Sequence, residues 1–185
     1  MSTLWLASQS PRRRQLLEWS GYTLDIHPAD LDETRDPWDP PVKHARGLAI
    51  RKAAIAPDDV TVVAADTVVH QGDILFEKPL DRAESRAHLT ALSDGWHRVT
   101  TGVCVRSRGQ QEAFTVTTEV RFRKLSLSEI DRYLATGEAD DKAGAYGIQG
   151  RGGSFIAELR GSWTNVMGLP IEETLEALAR LGCPP

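Results

Sequence analysis

The sequence predicts an α/β fold, and three stretches carry that prediction: a strand, turn and helix over residues 4–21, a nearly unbroken β-branched run over 60–69, and two long strand patterns joined by a polar turn between His97 and Phe122. Helical spacing fills the intervals between them. At 185 residues the chain is expected to form one domain, 1–185, with a shared core. Hydrophobic residues at 41% and charged residues at 26% are an ordinary globular mixture, which excludes a largely disordered chain.

Leu4-Trp5-Leu6-Ala7 reads as a short buried strand, and Ser8-Gln9-Ser10-Pro11 breaks it with a helix start in which Ser10 is the N-cap and Pro11 the first helical residue. Leu16 and Leu17 give that helix its apolar face, and Gly21 closes it. A second strand is expected over 22–26, followed by an acidic, proline-rich loop over 28–41. Val42, Ala45, Leu48, Ala49 and Ala53 recur at helical spacing and predict a helix over 42–56. The run over 60–69 is the pattern of a strand covered on both faces, interrupted by Asp66. A turn at Gln71-Gly72-Asp73 leads to a partner strand over 74–76.

Asp81 and Glu84 have the spacing of a capping box opening a helix through Leu92, and Ser126 with Glu129 opens another ending near Gly137. Strands over 97–105 and 114–122 are joined at Ser107-Arg108-Gly109-Gln110. Five glycines over 142–153 predict a loop, followed by a strand over 155–159 and a helix over 170–181.

A formal charge of -4 removes the simplest argument for nucleic-acid binding, so any phosphate site must be local. Cys104 and Cys183 are far apart and lack metal-ligand spacing, which predicts neither a disulfide framework nor structural zinc. Neither a signal-peptide pattern at residues 1–10 nor an apolar run long enough to span a bilayer is present, and the expected location is the cytoplasm.

Arg12, Arg13 and Arg14 fall in the first turn of a helix, where cations oppose the helix dipole. They either help Ser8, Ser10 and the free backbone N–H groups hold a phosphate, or form a solvated cluster. Asp66 is more telling, because a carboxylate in an apolar strand is costly unless paired, placed at a strand end or metal-bound. Glu33, Asp66 and Glu77 supply oxygen ligands of the kind Mg²⁺ accepts, Thr67 offers a hydroxyl, and Lys52 and Lys78 offer positive charge for phosphate oxygens. Together these describe a site for a polyanion with a metal and a general base, without the phosphate-loop motif GxxxxGK[ST] or the dinucleotide fingerprint GxGxxG. Cys104, inside an apolar strand, is expected to be core.

As ordered strings, Leu6-Ala7-Ser8-Gln9-Ser10-Pro11-Arg12-Arg13, Ala64-Ala65-Asp66-Thr67-Val68-Val69, Glu77-Lys78-Pro79, Thr101-Gly102-Val103, Lys142-Ala143-Gly144-Ala145-Tyr146-Gly147-Ile148-Gln149-Gly150 and Asn165-Val166-Met167-Gly168-Leu169-Pro170 resemble the Maf family along essentially the whole chain. The resemblance implies an elongated mixed α/β fold related to inosine triphosphatases, with a twisted sheet, flanking helices and a central cleft, and a homodimer. It implies hydrolysis of a nucleoside triphosphate to monophosphate and pyrophosphate with a divalent cation, Mg²⁺ or Mn²⁺. The glycine-rich string through Gln149 resembles the branch acting on dTTP and UTP rather than the one preferring 7-methyl-GTP. By resemblance Ser8, Arg12, Arg13, Lys52 and Lys78 hold the triphosphate, Glu33 assists with metal or substrate, and Asp66 accepts a proton and joins Glu33 at the metal. Arg12, Thr67 and Gln149 match specificity positions, and the Gln149 amide can donate and accept at once against a pyrimidine edge. Asp94 and Trp96 depart from the family pattern, in which Ser-Gly is common before His97. A nucleotide-binding regulator of septum formation without turnover is the other reading, which retention of Asp66 disfavours.

Overall fold

The structure is a computed structural model and describes residues 3–36 and 39–185; Pro37 and Trp38 of the predicted acidic loop lie outside them. Seven strands and six α-helices are found among the described residues: β1 Thr3–Leu6, α1 Pro11–Trp19, β2 Thr23–Ile26, α2 Pro41–Ala53, β3 Val62–Gln71, β4 Ile74–Phe76, α3 Arg82–Leu92, β5 Trp96–Ser107, β6 Gln110–Phe122, α4 Leu127–Leu134, β7 Ile156–Arg160, α5 Trp163–Met167 and α6 Ile171–Arg180. Two 3₁₀ turns, Ala143–Ala145 and Arg151–Phe155, shape the predicted glycine-rich loop. The strands form one sheet in the order β2-β1-β3-β5-β6-β7, with β4 against β3. β1 runs parallel to β2 and β3, whereas β3–β4 and β6–β7 are antiparallel, so the sheet is mixed as expected.

Local chemistry explains the element ends. Ser10 caps α1 by accepting from the Arg13 N–H, and the Gly21 and Tyr22 N–H groups close its other end on the carbonyls of Glu18 and Leu17, with Gly21 at φ 92. Ser126 and Glu129 form the reciprocal capping box. Only half of it forms at α3, where Asp81 accepts from the Glu84 N–H but the Glu84 carboxylate takes the Leu80 N–H instead. Arg108 and Gly109, at φ 51 and 78, make the two-residue turn between β5 and β6. β6 therefore starts at Gln110, four residues before the apolar pattern does. Asp94 stands at φ 57, the left-handed region natural to glycine and tolerated by aspartate, which accounts for the departure from Ser-Gly there.

The chain groups into two compact units, residues 1–67, 101–116 and 168–185 in the first and 68–100 and 117–167 in the second. In the first, the core under α2 is built largely from small side chains: Ala7, Ala49, Ala53, Ala56, Val62, Ala64 and Cys104. Such residues let helix and strand backbones approach closely, and at Gly102 on β5 no side chain at all intervenes before the Ala45 backbone. Burial raises the Cys104 thiol pKa to about 11, so it is a core residue and not a nucleophile. Tyr22 donates to the Cys183 carbonyl at 2.8 Å, and the Thr61 and Ser107 hydroxyls surround the Cys183 thiol at 3.3 and 3.2 Å.

The second unit has an aromatic core in which Phe122 packs edge-on against His97, Tyr146 and Phe155. His97 is 2% exposed, with Nε2 at 2.8 Å from the Tyr146 hydroxyl and no partner for Nδ1 among the described residues. Burial, with a smaller push from His70, lowers its pKa to about 4. The unfolded ring titrates near 6.5, so below that pH the unfolded chain takes up the proton first. Stability fully present above pH 6.5 is lost down to about pH 4, by roughly 3 kcal/mol. Denaturant midpoints measured from pH 7 to 4 are expected to fall more steeply for this protein than for His97→Gln; equal slopes would remove His97 as the cause.

Candidate active site

The first unit brings two groups of predicted site residues together. The chain leaves β1 at Leu6, passes buried Ala7, and turns at Ser8 into α1. Ser8 Oγ accepts from the Ser10 N–H at 3.2 Å and from Arg13 Nη1 at 3.0 Å. Arg13 also donates from Nη2 to Thr67 Oγ1 at 3.1 Å and from Nε to the Gly168 carbonyl at 2.8 Å. Thr67 Oγ1 lies 2.9 Å from Thr101 Oγ1. Burial pushes the Arg13 pKa below its usual value, opposed by Asp66 and Glu33 and assisted by Arg12.

The three arginines at the start of α1 thus have three fates. Arg14 is exposed and pairs with Glu18 one turn on at 2.7 Å, the solvated role. Arg13 is a strut whose guanidinium ties α1 to Thr67 and Gly168, with one N–H left on each Nη for a ligand. Arg12 is half-buried, and its guanidinium has no hydrogen-bonding or ionic partner among the described residues.

The second group centres on Lys52, in the last turn of α2. Its ammonium is 2.8 Å from Asp66 Oδ1 and 2.6 Å from Glu33 Oε1. Lys52 and Asp66 are both buried, while Glu33 stands at the exposed side. The reason sequence demanded for Asp66 is therefore a buried ion pair: removing Lys52 would leave Asp66 an uncompensated charge, whereas removing Asp66 leaves Lys52 paired with Glu33. Asp66 Oδ2 has no side-chain partner among the described residues, so the carboxylate keeps an oxygen able to accept a proton. Asp66 and Thr67, adjacent on β3, join the two groups.

The donor set fits a hard divalent cation in part. Glu33 and Asp66 are carboxylates of the right kind, but one oxygen of each is already on the Lys52 ammonium, and no group of three or more His, Cys, Asp or Glu side chains suited to a metal occurs among the described residues. Such a cation would complete its shell with water and phosphate oxygens.

Lys78 and Gln149 belong to the second unit. Lys78 is exposed in the segment after β4, and Gln149 is half-buried between the two 3₁₀ turns. Sequence reasoning missed the Gly168 carbonyl and the Thr101 hydroxyl as supports of Arg13 and Thr67. Their only signal was membership of the strings Thr101-Gly102-Val103 and Asn165-Val166-Met167-Gly168-Leu169-Pro170. No helix among the described residues is long and apolar enough to cross a membrane.

A structure titled that of the Staphylococcus aureus Ham1 protein is similar with a TM-score of 0.51 at 16% identity, covering 84% of this chain and 80% of that one, a likeness of fold alone. A relative from Anaeromyxobacter dehalogenans called dTTP/UTP pyrophosphatase is 50% identical over 98% of this chain and 95% of its own length. Proteins of the same name from Yersinia pestis and Vibrio cholerae are 43% and 41% identical, covering 97% and 96% of this chain and 93% and 97% of theirs. The model of the family described as Maf-like protein matches residues 3–181. A chain with this sheet and the paired Asp66, matched from Thr3 to Leu181, belongs to the Maf family.

Proposed function

We infer that this chain is a nucleoside triphosphate pyrophosphatase that hydrolyses dTTP and UTP to the monophosphate and pyrophosphate, its residues acting as one catalytic domain. The observation that carries the reading is the buried Lys52–Asp66 pair with Glu33 on the same ammonium, in a chain about half identical to a dTTP/UTP pyrophosphatase. Asp66 Oδ2 accepts a proton from the water that attacks the α-phosphorus, and the bond to the bridging oxygen of pyrophosphate breaks. Lys52 holds Asp66 in place through the 2.8 Å bond to Oδ1, which leaves Oδ2 turned to the reaction. Arg12 with its unengaged guanidinium, the spare N–H groups of Arg13, Ser8 and Lys78 hold the triphosphate, and their charge stabilises the leaving pyrophosphate.

Glu33 and Asp66 are the residues that would hold Mg²⁺ or Mn²⁺, which when bound lowers the charge on the phosphate oxygens. Thr67 and Gln149 belong to base selection, Gln149 through an amide that matches the O4 and N3–H of thymine or uracil. The protein works in the cytoplasm on the nucleotide pool, as a homodimer and without nucleic acid.

Pyrophosphate release from a panel of canonical and modified triphosphates, with Mg²⁺ and with Mn²⁺, tests this reading. Preference for dTTP and UTP is the expected result. Selective turnover of 7-methyl-GTP would keep the chemistry and overturn the assignment of Gln149. Tight binding without turnover of any member would replace the enzyme with a nucleotide-binding regulator.

A further inference from the structure

Glu138, four residues beyond the end of α4, has no part in the chemistry above, yet its carboxylate collects three donors. Oε1 accepts from the Tyr133 hydroxyl at 3.2 Å and the Gly152 N–H at 3.0 Å, and Oε2 accepts from the Arg151 N–H at 3.0 Å. The two amides open the 3₁₀ turn Arg151–Phe155, whose first N–H groups have no acceptor within the turn itself. Gly150, at φ 84, passes so close over the carboxylate that a Cβ there would stand 2.8 Å from Glu138 Oε2.

The same loop is tight elsewhere. A Cβ at Gly152 would meet the Gly147 carbonyl at 2.6 Å, and one at Gly153 the Ile148 carbonyl at 2.5 Å, so residues 147–153 fold back on themselves. Lys142 lays its stem against Gly147 while its ammonium donates to the Glu138 carbonyl at 2.6 Å. Gln149 lies between these two clamped ends. A segment with five glycines in twelve residues has a large conformational entropy to lose, and an amide that distinguishes bases must be held to within tenths of an ångström.

The geometry points to Glu138 as the positioning residue of this loop: it fixes the backbone that carries Gln149 and thereby sets the preference for pyrimidine triphosphates. The inference rests on the reading of Gln149 as the amide that recognises the base. Glu138 itself acts only through the Arg151 and Gly152 amides.

Glu138→Gln, Gln149→Ala and the double variant are compared for kcat and KM on dTTP, UTP and GTP, with amide hydrogen exchange at Arg151 and Gly152. An amide cannot accept from all three donors, so Glu138→Gln is expected to raise KM for dTTP and UTP about tenfold with kcat within about twofold. Its preference over GTP falls as in Gln149→Ala, the double variant falls no further, and the two amides exchange faster. Loss of preference in Gln149→Ala but not in Glu138→Gln overturns the positioning role. Loss in Glu138→Gln but not in Gln149→Ala keeps the positioning role and overturns Gln149 as the reader, while retention in both overturns both. Should Glu138→Gln not fold, Tyr133→Phe removes one of the three donors, and an unchanged pyrimidine preference there overturns the inference.

Discussion

Asp66→Asn is expected to lower kcat for pyrophosphate release about 10³-fold while the protein still folds cooperatively. The amide is nearly the shape of the carboxylate and can still present an oxygen to Lys52, but it cannot take a proton from water at neutral pH. Two effects on stability compete. Breaking a buried pair costs about 3–5 kcal/mol when a charge is stranded. Lys52 is not stranded here, because Glu33 remains on the same ammonium at 2.6 Å. The cost should therefore be smaller, about 1–3 kcal/mol, and the thermal midpoint should fall without loss of a sharp transition. Turnover within tenfold of the unsubstituted protein would remove Asp66 as the proton acceptor and leave Lys52–Asp66 as a structural pair only.

The second large effect is expected at Gly102. A Cβ added there would stand 2.4 Å from the Ala45 carbonyl oxygen, 2.5 Å from its carbon and 2.6 Å from the Arg46 nitrogen, all backbone atoms of α2. No rotamer change can relieve contacts with backbone, so Gly102→Ala must push the helix from the strand or fail to fold. The loss should exceed about 3 kcal/mol, the upper range for overpacking a core. It reaches the site because Lys52 lies about two turns further along α2, and its position against Asp66 depends on where that helix rests. Urea denaturation with an unchanged slope would read the loss as a shift in midpoint. A midpoint equal to that of the unsubstituted protein would mean that α2 and β5 lie farther apart than described.

What the sequence made legible was local. The caps at Ser10 and Ser126, the glycine end of α1, and the doubly covered strand broken by Asp66 are each written within a few residues, where turn chemistry and side-chain period act directly. α5 was missed because five residues, Trp163 to Met167, are too few to show a period. Half of the α3 capping box was misassigned because Glu84 had a second N–H in reach at Leu80.

The site divides in the same way. That Asp66 needed a partner followed from the cost of burying charge; that the partner was Lys52, shared with Glu33, did not, since neither spacing nor composition marks an exposed loop glutamate. The arginine triplet was conspicuous as a group, but its division into paired Arg14, strut Arg13 and unengaged Arg12 depends on contacts from distant segments.

The bond from Arg13 to the Gly168 carbonyl joins residues 155 positions apart, and the unit that contains it is built from residues 1–67, 101–116 and 168–185. A ribosome adding about 5–20 residues per second makes Gly168 roughly 8–30 s after Arg13. Throughout that interval the arginine has no carbonyl to receive its Nε–H. The Arg13 end of α1 is consequently among the last parts of a newborn chain to mature, and this unit, which needs residues 168–185, is completed after the aromatic core of residues 68–100 and 117–167.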